Sequence, residues 1–387
     1  MVFSKEQLTK FNSLETPFYY YDLGLLKKTL NELIKESSKN NYKIHYALKA
    51  NSNDRILKII SDSGLGADCV SGNEITKAVS TGFKNNEIVF AGVGKSDKEI
   101  KTALENNISC FNVESIQELE VINSISSAIN KVAQIAIRIN PNVDANTHHY
   151  ITTGLEENKF GINTWELTAI LEKIPSLKNI KLIGLHFHIG SQITDLEVFK
   201  GLCIRIIEIQ KWFEVHNIRV KNINVGGGLG INYENPDSEL IPDFASYFQI
   251  FEKFLEPLPD QEIHFEIGRA IVGQCGSLIS RVLYIKEGMN TNFAILDAGM
   301  TELIRPALYQ SYHKIENFTS NKPLMRYDVV GPICESSDTF AKFILLPETN
   351  RGDLIAIRST GAYGEVMASS YNLREKIKSF FSDQLLD

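Results

Sequence analysis

Short apolar segments recur along most of the chain, each separated from the next by a stretch with helical spacing. Residues 44–48 alternate with a period of two, which predicts a strand, whereas residues 56–60 repeat as one face of a helix. Alternation of strand and helix favours parallel pairing, and eight such units predict a (β/α)8 barrel. The eight strands are predicted at residues 44–48, 66–70, 88–91, 109–113, 133–139, 181–187, 222–225 and 263–266.

The pattern changes after residue 275. Strands are predicted there in direct succession, with few helical stretches between them, at residues 276–286, 293–297, 327–330 and 354–357. An aromatic segment at residues 16–22 lies outside the eight barrel strands and is able to pair with this later group. We therefore predict an α/β chain of two domains. Residues 23–274 form the (β/α)8 barrel, and residues 1–22 plus 275–387 form a mostly β domain, a sandwich or barrel.

The net charge and the positions of the cysteines exclude several classes of function. The 387-residue chain has a net charge of -7 and therefore lacks the excess of Lys and Arg that nucleic-acid or anionic-membrane binding requires. No run of about 18 apolar residues predicts a membrane span, and the first residues lack an apolar signal core. The five cysteines are scattered, so neither a disulfide framework nor a zinc knuckle is predicted. We expect a cytoplasmic protein that binds small molecules, with no metal, membrane or nucleic-acid partner.

Lys49 follows the first predicted barrel strand, at the strand end where α/β barrels build their sites. A lysine there is usually only a solvated charge. Gly226, Gly227 and Gly228 follow the seventh strand, and Gly268-Arg269 follows the eighth. Three glycines alone predict a tight turn, but the loops after strands seven and eight commonly hold a phosphate in barrels. Their position therefore favours a phosphate site.

Two other strand ends carry polar side chains. Glu266 ends the eighth strand near Lys49 and is interpreted as a general base, an ion-pair partner of the lysine, or the partner of a pyridinium nitrogen. His186 and His188 share one face at the end of the sixth strand. Such a pair is able to bind zinc, but no third ligand is evident, which favours stacking on a flat cofactor or buried hydrogen bonding. Lysine, phosphate loop, glutamate and histidine together suggest pyridoxal phosphate.

Nine colinear segments of the chain resemble the pyridoxal-phosphate decarboxylases of fold type III. They are residues 46–51, 148–162, 188–192, 226–228, 266–269, 297–300, 305–309, 331–336 and 361–364. This resemblance implies a barrel plus a β domain, with pyridoxal phosphate as cofactor. It also implies a head-to-tail homodimer whose shared active sites take the segments of Cys334 and Tyr363 from the partner subunit.

The resemblance also assigns roles. Lys49 would bond the cofactor covalently, His188 would stack on its ring, and Glu266 would pair with its pyridinium nitrogen. Cys334 matches the proton donor. Ile267 stands where the family usually has proline, so a looser turn is expected there. The resemblance implies that Ser191, Gly226, Gly227 and Gly228 bind phosphate and that Tyr363 touches the cofactor. Gly268 and Arg269 are expected at the cofactor from their place after the eighth strand. The positions expected to contact substrate are Arg269, Arg305, Tyr309, Glu335 and Tyr363.

The implied reaction is decarboxylation of meso-2,6-diaminopimelate to L-lysine and CO2, the last step of lysine biosynthesis. The far end of this substrate carries a carboxylate, which suits Arg305 and Arg269, and an ammonium, which suits Glu335. Carboxynorspermidine, arginine and ornithine are alternative substrates. Two other classes stay open, namely a non-catalytic homologue that binds pyridoxal phosphate and a barrel isomerase or aldolase that uses Lys49 without cofactor.

Overall fold

The computed structural model describes residues 3–143 and 159–385. The chain divides into two compact units. The first, called here the barrel unit, comprises Leu30–Gly230 and Asp243–Gly268. The second, the β unit, comprises Met1–Thr29, Ile231–Pro242 and Arg269–Asp387. The domain boundaries given above from the sequence, with residues 23–274 as one domain, stay a prediction.

Eight parallel strands close the barrel unit into a cylinder, in chain order, with the last strand paired to the first. The strands are β2 (Lys43–Ala47), β3 (Gly66–Cys69), β4 (Ile88–Phe90), β5 (Cys110–Val113), β6 (Ala133–Arg138), β7 (Ile180–His186), β8 (Asn222–Asn224) and β9 (Glu262–Ile267); β1 (Phe18–Tyr21) precedes them in the chain. The predicted (β/α)8 barrel is confirmed, and each predicted strand matches an observed one within a few residues.

The helices follow the strands as the periodicity predicts. They are α1 (Lys5–Ser13), α2 (Leu23–Ser38), α3 (Asp54–Asp62), α4 (Gly72–Thr81), α5 (Asp97–Glu105), α6 (Ile116–Ala128), α7 (Leu167–Lys173), α8 (Glu197–Val215), α9 (Phe244–Phe254), α10 (Arg269–Val272) and α11 (Arg305–Tyr309). Serine side chains cap three of the helices in the barrel unit: Ser71, Ser96 and Ser115 accept hydrogen bonds from the first turns of α4, α5 and α6. Such caps satisfy backbone N–H groups that have no partner within the helix, so each helix begins at a defined residue after its strand.

The β unit is built on one eight-stranded sheet. Its further strands are β10 (Gly276–Glu287), β11 (Asn292–Leu296), β12 (Ile315–Asn317), β13 (Leu324–Val330), β14 (Thr339–Pro347), β15 (Leu354–Ile357) and β16 (Lys378–Phe381). The strand order is β12-β15-β10-β11-β13-β14, and β1 pairs with both β10 and β16. The aromatic segment therefore joins the later strands as predicted, and the second unit is mostly β. Among residues 3–143 and 159–385, no helix has the length and apolar character needed to cross a membrane.

A histidine pair lies inside the barrel. His45 donates through Nδ1 to the carbonyl oxygen of Glu87 at 3.1 Å, because a carbonyl only accepts. Its Nε2 is therefore the acceptor of the 2.8 Å hydrogen bond from His264 Nδ1. Gly66 makes room for the ring, since a Cβ there would lie 2.6 Å from His45 Nδ1. Burial lowers the pKa of both rings, that of His264 to about 3, so the pair is neutral near pH 7.

We expect acid to destabilise the protein through this pair. The pKa of His264 falls from 6.5 in the unfolded chain to about 3 in the fold. The unfolded state therefore binds more protons between these values, and the free energy of unfolding decreases as the pH falls through that window. One such histidine contributes at most about 1.4 kcal/mol per pH unit. Urea unfolding at several pH values would measure this effect. In a His264→Asn variant the free energy of unfolding should depend less steeply on pH than in wild type, whereas the exposed His216→Asn control should keep the wild-type dependence. A slope unchanged by His264→Asn would contradict this assignment.

Candidate active site

Lys49 lies in a single turn of 3-10 helix, Leu48–Ala50, directly after β2. The strand ends at Ala47, one residue earlier than predicted, so the lysine belongs to the turn and not to the strand itself. The Tyr46 hydroxyl donates to the carbonyl oxygen of Asn51 at 2.8 Å and ties the two ends of this turn together. The lysine side chain is 40% exposed, which leaves its amine accessible for covalent chemistry.

Asp68 is the acidic neighbour of Lys49, with Oδ2 3.8 Å from the lysine Nζ. The sequence had suggested Glu266 as a possible partner of this lysine and did not single out Asp68. Burial and the charge of Glu266 raise the pKa of Asp68, while the charge of Lys49 acts in the opposite direction. The available signal was an aspartate within β3, a short strand that is buried along its whole length.

Three side chains hold the carboxylate of Glu266 inside the barrel. Its Oε1 accepts hydrogen bonds from Asn112 Nδ2 at 3.2 Å and Asn224 Nδ2 at 2.8 Å, and its Oε2 accepts from His186 Nε2 at 3.1 Å. Burial by itself would raise the pKa of this carboxyl, but His186 and Lys49 outweigh it and hold the pKa well below the usual range. Glu266 is therefore ionised, as a partner of a pyridinium nitrogen must be.

The two predicted histidines have different neighbours. His186 is the last residue of β7 and contacts Glu266, whereas His188 accepts the backbone N–H of Gly227 through Nδ1 at 3.2 Å. Burial, then the positive charges of Arg138 and Lys49, hold the pKa of His188 well below its usual value. His188 is therefore a neutral ring whose orientation is set by a loop glycine. Within the described ranges 3–143 and 159–385, no group of three or more His, Cys, Asp or Glu is arranged for a metal.

The three glycines after β8 are not equivalent. The Gly226 N–H donates to Asn224 Oδ1 at 2.9 Å, and the Gly227 N–H is taken by His188. A Cβ on Gly227 would lie 1.9 Å from the carbonyl oxygen of Glu266, so only glycine fits at that position. Among residues 3–143 and 159–385, no acceptor for the Gly228 N–H is found. Of these three glycines, Gly228 is therefore the one whose N–H is left to bind an anion.

Gly268 has a packing role beside Lys49. A Cβ there would lie 2.9 Å from Ala50 Cβ and 3.1 Å from Ala47 Cβ, so glycine is required where this segment meets the lysine turn. The looser turn expected at Ile267 is not found, because β9 continues through Ile267 and pairs it with Tyr46.

The barrel residues fit pyridoxal phosphate by their chemistry. An accessible amine, an ionised carboxylate held by three donors, a neutral imidazole and a backbone N–H are the groups that the cofactor's aldehyde, ring nitrogen, ring face and phosphate require. Ser191 is half-buried in the loop after β7. Its predicted contact with phosphate stays a prediction.

The β unit gathers the predicted substrate arginines into one group, called here the arginine cluster: Tyr233, Arg269, Arg305, His313 and Tyr363. Arg269 and Arg305 are both buried, and each donates through Nη1 to the hydroxyl of Tyr233, at 2.6 Å and 3.0 Å. The Arg269 guanidinium also lies 4.8 Å from the centroid of the Tyr363 ring, so Tyr363 contacts an arginine of its own chain, whereas the resemblance implied that its segment enters the partner's active site. In the described part of the chain, no carboxylate lies within 4.0 Å of the Arg305 nitrogens. Sequence reasoning did not single out Tyr233 or His313.

The remaining predicted residues lie elsewhere in the β unit. Tyr309 ends α11, the short helix that begins at Arg305, and is half-buried. Cys334 and Glu335 are exposed, and the Cys334 N–H donates to Asn372 Oδ1 at 3.0 Å. Of the resembling segment 148–162, residues 148–158 lie outside the described residues.

A closed parallel barrel that presents a lysine, an ionised glutamate and a glycine loop defines a pyridoxal-phosphate enzyme of the barrel class. The chain belongs to the family of pyridoxal-dependent decarboxylases, whose pyridoxal-binding domain matches residues 24–273. The predicted family and cofactor are thereby confirmed.

Several relatives within this family are similar to the chain over nearly its whole length. A protein of Bacteroides thetaiotaomicron named diaminopimelate decarboxylase is 58% identical over 380 residues, which cover 98% of either chain. The crystal structure of diaminopimelate decarboxylase from Helicobacter pylori, complexed with L-lysine, superposes with a TM-score of 0.89 at 42% identity and covers 97% of this chain and 93% of its own. The crystal structure of diaminopimelate decarboxylase from M. jannaschii, also in complex with L-lysine, superposes with a TM-score of 0.89 at 32% identity. The match covers 98% of this chain and 90% of that one.

Proposed function

We propose that this chain removes CO2 from meso-2,6-diaminopimelate and yields L-lysine, the last step of lysine biosynthesis. The observation that carries the proposal is the 58% identity, over almost the full length of both chains, to a relative named for this activity. The buried arginine cluster supports it independently, because a carboxylate at the far end of the substrate is a suitable counterion for Arg305.

Pyridoxal phosphate, when bound, accepts the electron pair that the departing carboxylate leaves behind. Lys49 would hold it covalently, and Glu266 would keep a proton on its ring nitrogen. Three donors already fix the Glu266 carboxylate in the ionised state, so little reorganisation is needed when a cation approaches. His188 would orient the ring, and Ser191 with Gly228 would bind the phosphate.

The substrate would be held at its far end. Arg269 and Arg305 would bind the carboxylate that remains in the product, and Glu335 would bind the neighbouring ammonium. Tyr309 and Tyr363 would line the same region. Cys334 would then give a proton to the carbon that has lost CO2. Ornithine lacks the far carboxylate and would leave a buried arginine uncompensated, at a cost of about 1 to 3 kcal/mol.

A decarboxylation assay with added pyridoxal phosphate tests the proposal. The assay would offer meso-diaminopimelate, ornithine, arginine and carboxynorspermidine separately and identify the amine product. Lysine formed from diaminopimelate alone is expected. Turnover of another substrate would contradict diaminopimelate as the substrate but would leave the assignment to the decarboxylase class intact. No turnover of any, with a cofactor absorbance band present, would favour a non-catalytic homologue, and no band at all would favour a barrel enzyme that works without cofactor.

We further propose that the enzyme is a cytoplasmic homodimer with shared active sites. A proton donor must be shielded from water to act on one carbon, yet Cys334 is exposed in the single chain. Nearby apolar side chains are exposed as well, with Leu373 94% and Tyr371 49% accessible. A partner subunit that covers this region would account for both facts.

Mixing two inactive variants tests the sharing of sites. Lys49→Ala and Cys334→Ala should each be inactive alone, because every site lacks one essential group. After subunit exchange, about a quarter of wild-type activity should return, since half of random dimers are mixed and each mixed dimer has one intact site. Mixing two differently tagged Lys49→Ala preparations is the control. If exchange is demonstrated by the tags and no activity returns, Cys334 does not act across the dimer.

A further inference from the structure

Arg269 and Arg305 share one hydrogen-bond acceptor inside the β unit. Both donate through Nη1 to the hydroxyl oxygen of Tyr233, which is only 8% exposed. The Arg305 guanidinium carbon also lies 4.8 Å from the centroid of the Tyr233 ring. Two guanidinium ions so close together repel each other, and an oxygen that accepts from both reduces this repulsion. Tyr233 therefore determines how far apart the two cations lie.

His313 accepts a second hydrogen bond from the same nitrogen of Arg305. Its Nδ1 donates to the carbonyl oxygen of Arg358 at 2.8 Å, so its Nε2 is left as an acceptor and receives Arg305 Nη1 at 2.8 Å. Burial and the charge of Arg305 lower the pKa of His313 to about 3, which keeps that acceptor unprotonated. The His313 ring packs edge-on against Tyr233, with centroids 5.0 Å apart.

We propose that Tyr233 and His313 are positioning residues that hold the Arg269 and Arg305 guanidiniums together as one carboxylate-binding fork. This inference rests on the proposed function and adds to it the means by which the enzyme selects substrates with a far carboxylate. A long arginine side chain otherwise occupies many rotamers, so fixing two of them in advance removes an entropic cost of binding.

The charges in the fork suit a single carboxylate. Burial would raise the pKa of Tyr233, but the two arginines outweigh it and lower that pKa below its usual value. The phenolic oxygen consequently carries more negative character than an ordinary tyrosine hydroxyl and offsets part of the double positive charge. One further carboxylate from the substrate then offsets another part of the positive charge.

Tyr233→Phe tests the fork, because it removes one oxygen and keeps the ring that packs on His313. L-lysine and cadaverine are the probes, since they differ only by the carboxylate; their binding to the holoenzyme would be measured by calorimetry. L-lysine should bind roughly tenfold or more weakly to the variant, as expected when buried donors lose their acceptor, and cadaverine should be unaffected. The KM for diaminopimelate should rise in parallel, with kcat changed less.

Tyr247→Phe is the matched control. Tyr247 is a buried tyrosine of the barrel unit whose hydroxyl has no hydrogen-bond partner within residues 3–143 and 159–385. Removal of this hydroxyl should therefore leave the binding of both L-lysine and cadaverine unchanged. His313→Gln retains an amide oxygen that is able to accept from Arg305, whereas His313→Leu does not. The glutamine variant should therefore bind L-lysine better than the leucine variant.

Three results would overturn the inference: unchanged L-lysine binding in Tyr233→Phe, equal weakening of L-lysine and cadaverine, or equal binding by the two His313 variants. Failure of the proposed function is recognised separately. It would show as absence of diaminopimelate turnover in the wild-type enzyme, while the comparison of lysine with cadaverine still reports whether the fork binds a carboxylate.

Discussion

Glu266→Ala should lower kcat by about 100- to 1,000-fold, the usual loss when a preorganised electrostatic group is removed from the reacting centre. Cofactor binding should weaken far less, because Lys49 and the glycine loop would still hold pyridoxal phosphate. The reason is the state of the wild-type carboxylate, which three donors and neighbouring positive charges keep ionised beside the position proposed for the ring nitrogen. Rapid-mixing kinetics would measure turnover, and titration of the cofactor absorbance band would measure binding.

The same strand supplies a control for this experiment. Glu262 lies four residues earlier on β9 and pairs with Lys221 at 3.2 Å, so Glu262→Ala removes a carboxylate from the strand without touching the site. Glu266→Gln keeps the shape but loses the charge, and its kcat should fall nearly as far as that of the alanine variant. Undiminished kcat in both Glu266 variants would remove this residue from the mechanism.

Arg305→Ala should reduce kcat/KM for diaminopimelate by roughly 30-fold or more, because truncating a buried charged hydrogen-bonding partner costs about 2 kcal/mol or more. Arg305 is 5% exposed and donates to Tyr233 and His313, so its removal takes a buried cation and both of these hydrogen bonds out of the site. Any residual turnover of ornithine, which has no far carboxylate, should stay the same. Parallel assays of both substrates would measure the selectivity.

Arg351→Ala is the comparison for Arg305→Ala. Arg351 is exposed in the same unit, where it donates to the carbonyl oxygen of Leu283. Removal of the Arg351 side chain should leave kcat/KM unchanged for both diaminopimelate and ornithine. An equal loss on diaminopimelate and ornithine in Arg305→Ala would indicate a general structural defect and would count against a role in selecting the carboxylate.

Periodicity was sufficient to predict the architecture. Each barrel strand is a short buried segment between helical stretches, and parallel strands joined by helices close at eight units. The eight-strand count therefore followed from local pattern alone. Boundaries were less certain: β2 ends at Ala47, and Lys49 occupies the turn that follows. Hydrophobic period does not distinguish the last strand residue from the first residue of a turn.

The supporting residues of the site were harder to predict. Asn112 and Asn224 are ordinary polar residues in their own strands, and only barrel closure brings β5 and β8 to the same carboxylate as β9. Tyr233 and His313 are 80 positions apart and meet through the fold of the β unit. No local spacing links such residues, because their contacts depend on the path of the chain between them.

The sequence by itself determined the barrel, the β unit, the family and the residues that would carry the chemistry, because periodicity and motif identity are properties of short segments. The tertiary structure alone decided which state those residues adopt. It ionises Glu266 by surrounding it with three donors, leaves His188 neutral by burying it near Arg138 and Lys49, and joins Arg269 to Arg305 through Tyr233. Protonation and orientation depend on burial and on neighbours distant in sequence, and these exist only once the chain has folded.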